Sequence, residues 1–351
     1  MSFLKGLYTQ NDFSNLTTDE VLILQKELQL HLEKGTDVRA YLYENMESYE
    51  DNQCFRRIVS SKVLAGKTAL RWMQFYYAGD FTEEKLIERI ESQQVGYNAN
   101  TIDRWNAESE DRIVCIQKNE TYYTIRLMIN DGFQKISDGL STRKEPAKES
   151  VIINIDPKNR WLEFRCRKVL MDKSIHVLRN TLKIDNLSSI AITNKYKNIE
   201  EFKRNLDNGF RFSNISVPNM DFILSENDKN ELVELFKLID AYIIDRDQNK
   251  LIKGLKTLKL EFADIPVIQI ILSNIGTLTL DVNEGSDEDM GQSLIYMLTK
   301  DYATDSGAYI RFSIDEGKTI HSMRISVKEM SVSFSSSVTE EVIEYVRNKI
   351  L

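Results

Sequence analysis

The stretch VIINIDPKNRWLEFRCRK, residues 151–168, has the pattern of two β-strands joined by a tight turn. Pro157 stands where a type I turn favours proline, and Asp156, directly before it, is a residue type that turns favour. Apolar residues alternate with polar ones after the turn, with the period of two that a strand requires. The stretch therefore predicts an antiparallel hairpin.

Other segments repeat this pattern. RIVCIQ and TYYTIRLMI, separated by KNE, predict a hairpin from residue 112, and AYIRFSID-EGK-TIHSMRISV predicts another near the end of the chain. Helical patterns stand between the strands, as in SENDKNELVELFKLIDAYI. The polar stretch DGLSTRKEPAKES, residues 138–150, predicts an exposed loop or linker. Hairpins with interspersed helices predict an α+β fold with mainly antiparallel sheets.

The first hundred residues predict five short helices. One opens with a capping box from Thr17 to Glu20, and another is capped by Thr82. KTALRWMQFYYAG, residues 67–79, is interpreted as a helix whose aromatic cluster packs in a core. We therefore expect an all-helical domain at 1–108, a basic α+β domain at 109–220 and an acidic α+β domain at 221–351, with one continuous domain formed by the last two as the alternative.

Charge is distributed unevenly along the 351 residues, whose formal net charge is −8. Residues 1–110 carry 12 Lys and Arg against 18 Asp and Glu, and residues 221–351 carry 14 against 23. Residues 111–220 reverse this balance, with 20 basic against 13 acidic side chains. A basic middle segment between acidic flanks favours a polyanionic or acidic partner.

The basic residues concentrate on the strand after Pro157 and on the helix that follows. Period two buries Leu162, Phe164 and Cys166 on one face, and we expect Trp161, Glu163, Arg165 and Arg167 to face water on the other. The helix DKSIHVLRNTLK turns a basic stripe away from its apolar face. The predicted nucleic-acid-binding residues are Arg160, Trp161, Arg165, Arg167, Lys168, Lys173, Arg179 and Lys183.

These residue types suit nucleic acid. Guanidinium groups fork onto phosphate oxygens, an indole stacks on a base, and each neutralised phosphate releases counterions. The sequence predicts a non-catalytic protein that binds DNA or RNA. The abundance of Ile, Asn and Lys is typical of an AT-rich bacterial or mobile-element genome, so we expect a subunit of a larger assembly such as a defence or mobile-element system.

Two alternatives remain open. The first is a protein–protein scaffold or adaptor whose basic face meets an acidic partner, or an acidic flank of the same chain. The second is a metal-dependent nuclease, in which Asp156 and Glu163 hold Mg²⁺ and Arg165 stabilises a developing phosphorane charge. Arginine cannot replace the lysine base proposed for some such enzymes, since it does not deprotonate.

Other chemistries lack their motifs, so we expect no cofactor and no resident metal. Three widely spaced cysteines form no CxxC pair, and three distant histidines lack a neighbouring ligand. The acidic loop DVNEGSDED, residues 281–289, fails as a calcium loop because Gln292 occupies its twelfth position. With no secretory signal and no long apolar run, we expect a cytoplasmic protein without a membrane partner.

Overall fold

The computed structural model divides the chain into two compact units, Met1–Gly209 with Ile310–Leu351, and Phe210–Tyr309. The residues that it describes are 3, 5–66, 68–93, 111–137, 142–207, 209–211, 226–257, 307–315 and 318–351. The acidic loop at 281–289 and the strands predicted around it lie outside these residues. Within the described residues, no helix is both long and apolar enough to span a bilayer.

The fold is α+β, as the sequence predicts. The described residues form the α-helices α1 (Thr18–Glu27), α2 (Val38–Glu44), α3 (Gln53–Lys62), α4 (Glu83–Ser92), α5 (Lys168–Leu182), α6 (Ile199–Arg204), α7 (Glu226–Asp245), α8 (Gln248–Thr257) and α9 (Glu340–Ile350). They also form the strands β1 (Ala69–Phe75), β2 (Arg112–Lys118), β3 (Tyr123–Ser137), β4 (Thr142–Asp156), β5 (Trp161–Arg165), β6 (Leu187–Ile190), β7 (Phe210–Arg211), β8 (Gly307–Phe312), β9 (His321–Ser326) and β10 (Ser331–Phe334).

The first unit is built on a sheet that contains the strands β2-β3-β4-β5-β1-β10-β9 in that order, and each neighbouring pair among them is antiparallel. Strand β1 lies at its centre. It pairs with β5 along one edge, while its other edge pairs first with β10, at residues 69–70, and then with β6, at residues 72–75. The hairpin of β4 and β5 is confirmed, with Asp156 paired to Trp161 beside the turn.

The helix predicted at residues 67–79 is wrong, and so is the all-helical character expected of residues 1–108, because Ala69–Phe75 forms β1. Five of its seven residues are buried, including four consecutive ones, Leu70 to Met73. A strand covered on both faces loses the alternation that would reveal it, and a short apolar run then resembles a buried helix. The true helices are read correctly where caps mark them: Thr17 and Thr82 cap α1 and α4.

The loop predicted at residues 138–150 is also wrong from Thr142 onward. Residues 142–156 form β4, which pairs with β3 as far as Ser137. Residues 138–141 lie outside the described residues. Thr142, Lys144 and Glu149 of this strand are exposed, which accounts for their polar side chains, since an antiparallel strand beyond the core needs no apolar face.

Both faces of the sheet are covered. One face packs on α4 and α5, and its core contains Ile125, Ile153, Leu162, Phe164 and Leu178, all fully buried. The predicted burial of Leu162, Phe164 and Cys166 is thus confirmed. A second core gathers residues 3–63 against Val114 and Cys115 of β2. Trp161, Glu163 and Arg165 lie on the face of β5 opposite the first core, and they are buried as well.

The second unit contains a pair of successive helices, α7 and α8, which confirms the helix predicted at residues 225–243 from Glu226 onward. The two helices approach closely at Gly254, where an added Cβ would lie 2.4 Å from the Leu238 side chain. A glycine at this position lets two backbones come near each other.

Candidate functional site

The outward face expected for β5 is instead a buried network of charges. Trp161 and Arg165 are each only 8% exposed, and Glu163 is fully buried. The expectation that Trp161, Glu163 and Arg165 face water is therefore wrong. The reason is tertiary: α9 supplies the carboxylate and the guanidinium that complete this face, and these groups lie 175 and 184 residues further along the chain than their partners.

Glu163 is the centre of the network. Its Oε2 accepts hydrogen bonds from Trp72 Nε1 at 3.0 Å and from Arg347 Nε at 2.7 Å. Its Oε1 accepts from Asn154 Nδ2 at 3.0 Å and from the Nε and Nη2 atoms of Arg165 at 3.1 and 3.0 Å. Every lone-pair direction of this buried carboxylate has a donor, as a buried charge requires.

The ionisation of Glu163 follows from these contacts. Burial by itself would raise the pKa of the carboxyl, but the positive charges of Arg347 and Arg165 and the hydrogen bonds from Arg347 and Trp72 outweigh burial. They hold the pKa of Glu163 at about 2. The group is a carboxylate at neutral pH because its charged form alone has partners here.

Arg165 is neutralised from two sides. Besides Glu163 it forms a bidentate pair with Glu340 of α9, where Nη2 lies 2.7 Å from Oε2, and it donates to the Leu64 carbonyl at 2.9 Å. All of its forked donors point at protein acceptors, so phosphate could reach this guanidinium only by displacing α9.

Trp161 is committed to packing in the same way. The Arg347 guanidinium lies 4.9 Å from its ring centroid, and the Tyr122 ring lies 6.1 Å away at a tilted angle. A desolvated arginine over an indole is a favourable cation–π contact. The indole therefore packs between α9 and the sheet, and its face is not available to stack on a base.

The residues around Glu163 offer a divalent cation little room. A metal ion would have to displace two guanidinium groups to reach the Glu163 oxygens. Asp156 is occupied too: its oxygens accept hydrogen bonds from Asn159 N and Nδ2, both at 2.8 Å, which confirms its expected role in the turn. Among the described residues, no cluster of three or more His, Cys, Asp or Glu side chains is suited to hold a metal ion.

No protein-family model matches this chain, and no curated protein matches its sequence.

The remaining predicted residues separate into two groups. Arg167 and Lys173 both pair with Asp131 of β3, and Arg167 also reaches Glu149. The Arg167 side chain is nevertheless 60% exposed, and exposed pairs of this kind contribute little energy. Hydrogen bonds from Lys173, together with the nearby Arg167, lower the pKa of Asp131.

The second group is open to solvent. Lys168, Arg179 and Lys183 are exposed on or directly after α5, and none has an ion pair with a described residue. Arg160 is exposed in the β4–β5 turn with a positive φ of 59°, and its guanidinium lies 5.4 Å from the Tyr77 ring centroid. The structure thus keeps four of the eight predicted side chains exposed and without a carboxylate partner among the described residues.

A cleft of about 770 Å³ opens beside the Glu163 network, and Trp161 and Arg347 line its wall. Its other charged side chains are Asp156, Lys195 and Glu344. Because both signs of charge line the cleft, it does not have the uniformly positive surface that a polyanion requires.

The burial of several residues in this network cannot be predicted from the local sequence. Arg347, Glu340 and Tyr122 lie in patterns typical of ordinary helix and hairpin residues. The same is true of Arg126, which is 2% exposed and bonded to Asp12 and the Leu7 carbonyl, each at 2.5 Å. Only the pairing of distant segments identifies them as buried charges.

Proposed function

We propose that this chain is a non-catalytic nucleic-acid-binding protein whose phosphate contacts come from the outer stripe of α5. The observation that carries the proposal is the row of Lys168, Arg179 and Lys183, exposed and without a carboxylate partner among the described residues. At 1.5 Å per residue the row extends about 22 Å, which suits several successive phosphates.

The stripe is positive but not uniform. Helical spacing puts Asp172 and His176 between the three cations, so one carboxylate stands among three positive charges. Arg167 and Lys173 lie beside the stripe and could exchange Asp131 for a phosphate oxygen at small cost, since surface ion pairs are weak. Arg160 extends the set at the turn, whereas Trp161 and Arg165 are left out of it.

The proposal extends to the setting of the protein. The formal net charge of −8 opposes the approach of nucleic acid, so the affinity of the chain by itself should be weak and salt-sensitive. Such a chain is suited to work as a cytoplasmic subunit of a larger assembly, such as a defence or mobile-element system, in which partners add positive surface.

The test is a salt titration of binding to fluorescent single-stranded and duplex oligonucleotides. The triple variant Lys168→Ala/Arg179→Ala/Lys183→Ala should weaken binding and reduce the log–log salt slope by roughly 2 to 3. The matched control Lys26→Ala/Lys34→Ala/Lys318→Ala removes three exposed cations elsewhere and should leave the slope unchanged. If wild type binds no oligonucleotide at low salt, the proposal fails.

A protein scaffold is the second candidate, and one observation favours it. Val169 is 58% exposed directly beside Lys168, so a protein partner that covers this cationic row would also bury an apolar side chain. A Val169→Ser variant separates the two functions. If the protein binds nucleic acid through phosphate contacts, this variant should bind oligonucleotides as wild type does. If the protein is a scaffold, the variant should bind an acidic protein partner more weakly than wild type does.

A further inference from the structure

Strands β3 and β4 continue as a two-stranded arm beyond the strands that flank them. Strand β2 pairs with β3 only as far as Met128, and β5 pairs with β4 only from Ile152 onward. Residues 130–137 and 142–148, here called the arm, pair only with each other among the described strands. At about 3.3 Å per residue the arm is roughly 20 to 25 Å long.

The register gives the arm one distinctive face. Lys135 lies directly opposite Lys144, Phe133 precedes Lys135 by two residues, and Lys148 follows Lys144 by four, so all four side chains share a face. Phe133 is 72% exposed, Lys135 and Lys144 are exposed, and Lys148 is half-buried. An aromatic ring therefore stands between cations in open solvent.

This arrangement lowers the stability of the arm, and no contact within the described residues compensates for it. Like charges directly opposite in an antiparallel pair are destabilising. None of the three lysines forms an ion pair with a described residue. A largely exposed phenylalanine adds nothing to a core either, so the face is better suited to an external anion with apolar surface than to folding.

The base of the arm is fixed, so this face has a defined position. Lys173 of α5 donates to the Asn130 carbonyl at 2.7 Å and to Asp131 at 3.1 Å. The Asn130 amide donates to Asp111 at 2.6 Å, and Arg167 binds Asp131 as well. The Asn130–Asp111 hydrogen bond and the β3–β4 pairing hold the base of the arm even when Arg167 and Lys173 exchange Asp131 for a phosphate, so binding orders the arm with little loss of entropy.

We propose that the arm is a second contact element, binding single-stranded nucleic acid with Phe133 stacked on a base and with Lys135, Lys144 and Lys148 on phosphates. This inference rests on the proposed function and identifies its substrate class. Single strands are favoured over duplex because only unpaired bases offer a free face to an aromatic ring. An exposed ring between cations is the combination that such binders use.

The test uses the full chain and three fluorescent probes of equal length: a thymidine single strand, its abasic counterpart and a duplex. Phe133→Ala should weaken binding to the thymidine strand by roughly 5- to 100-fold and leave abasic binding unchanged, because only the stacking contact is lost. Lys135→Ala/Lys144→Ala should weaken binding to both single strands. Thr142→Ala, exposed on the same face, is the control and should bind as wild type.

The outcomes separate the two proposals. If wild type binds none of the probes, the proposed function fails. If wild type binds the single strands, and Phe133→Ala and Lys135→Ala/Lys144→Ala bind them as tightly as wild type does, nucleic-acid binding stands and the arm proposal is overturned. Preference for duplex with no effect of Phe133→Ala also overturns it. All four exchanged side chains are outside the cores, so each variant should keep the wild-type circular dichroism and none should lower the thermal midpoint.

Discussion

Arg347 and Glu163 meet in the interior through two hydrogen bonds, Nε to Oε2 at 2.7 Å and Nη2 to Oε1 at 3.3 Å. Their side chains are 7% and 0% exposed, and 184 positions separate them along the chain. The pair attaches the last helix to the middle of the sheet. It converts a strand with the composition of a nucleic-acid contact into a structural element.

Removing the charge of Glu163 should destabilise the fold strongly. Glu163→Gln leaves Arg347 without its carboxylate and Arg165 with Glu340 alone, and an uncompensated buried charge costs about 3–5 kcal/mol. Urea unfolding measures the loss. Glu88→Gln, exposed on α4, is the matched control and should change stability by less than about 0.5 kcal/mol. A cost below about 1 kcal/mol for Glu163→Gln would contradict a central role for this carboxylate.

Acid should remove the same stabilisation. The folded-state pKa of Glu163 is about 2, below its ordinary value of 4.5, so its contribution is complete above pH 4.5 and is lost as the pH falls toward 2. Linkage makes that contribution on the order of 3 kcal/mol. Urea midpoints from pH 7 to pH 2.5 should therefore fall more steeply for wild type than for Glu163→Gln.

The same comparison controls for other acids. The pKa of Asp315 is also lowered to about 2, through hydrogen bonds from Thr319 and Ser313, but both proteins retain it. Parallel pH curves for wild type and Glu163→Gln would mean that Glu163 does not titrate as its contacts require.

Arg165 should matter for stability and not for nucleic acid. Arg165→Ala removes the partner shared by Glu163 and Glu340, and we expect a loss of about 3 kcal/mol. The salt slope of oligonucleotide binding should stay at the wild-type value, measured at a temperature where the variant is folded. The α5 triple variant should show the reverse pattern. A reduced slope in Arg165→Ala would show that β5 does contact phosphate.

Alanine should destabilise the fold more at Gly66 than at Gly79, which is the matched comparison. Both have a positive φ, 57° and 59°, so alanine costs about 1–2 kcal/mol at either. At Gly66 an added Cβ would also lie 2.5 Å from the Asn15 amide, which donates to the Val63 carbonyl at 2.9 Å. At Gly79 nothing lies within 4 Å.

Gly66→Ala should therefore lower the free energy of unfolding by about 1–3 kcal/mol more than Gly79→Ala, since breaking the Asn15 contact leaves polar groups unpaired. Thermal or urea unfolding of the two variants checks this. Equal losses would mean that Asn15 moves aside freely.

Much of the fold follows from local pattern. The turn at Asp156 and Pro157 predicts the β4–β5 hairpin, Thr17 and Thr82 predict two helix starts, and period two identifies the buried Leu162 and Phe164. Each of these depends on residues close together in the chain, where backbone geometry and hydrogen-bonding groups decide the outcome. The exceptions are β1, whose apolar run resembles a buried helix, and the first part of β4, whose polar composition resembles a loop.

The sequence by itself determined the α+β class, the hairpins and the apolar face of β5. Only the tertiary structure decided whether the opposite face of that strand meets water. Arg165 is equally suited to phosphate and to a carboxylate, and its side chain is the same in either case. What buried it is the arrival of Glu340 and Arg347 from α9, because a charge leaves water only when a distant segment brings its partner.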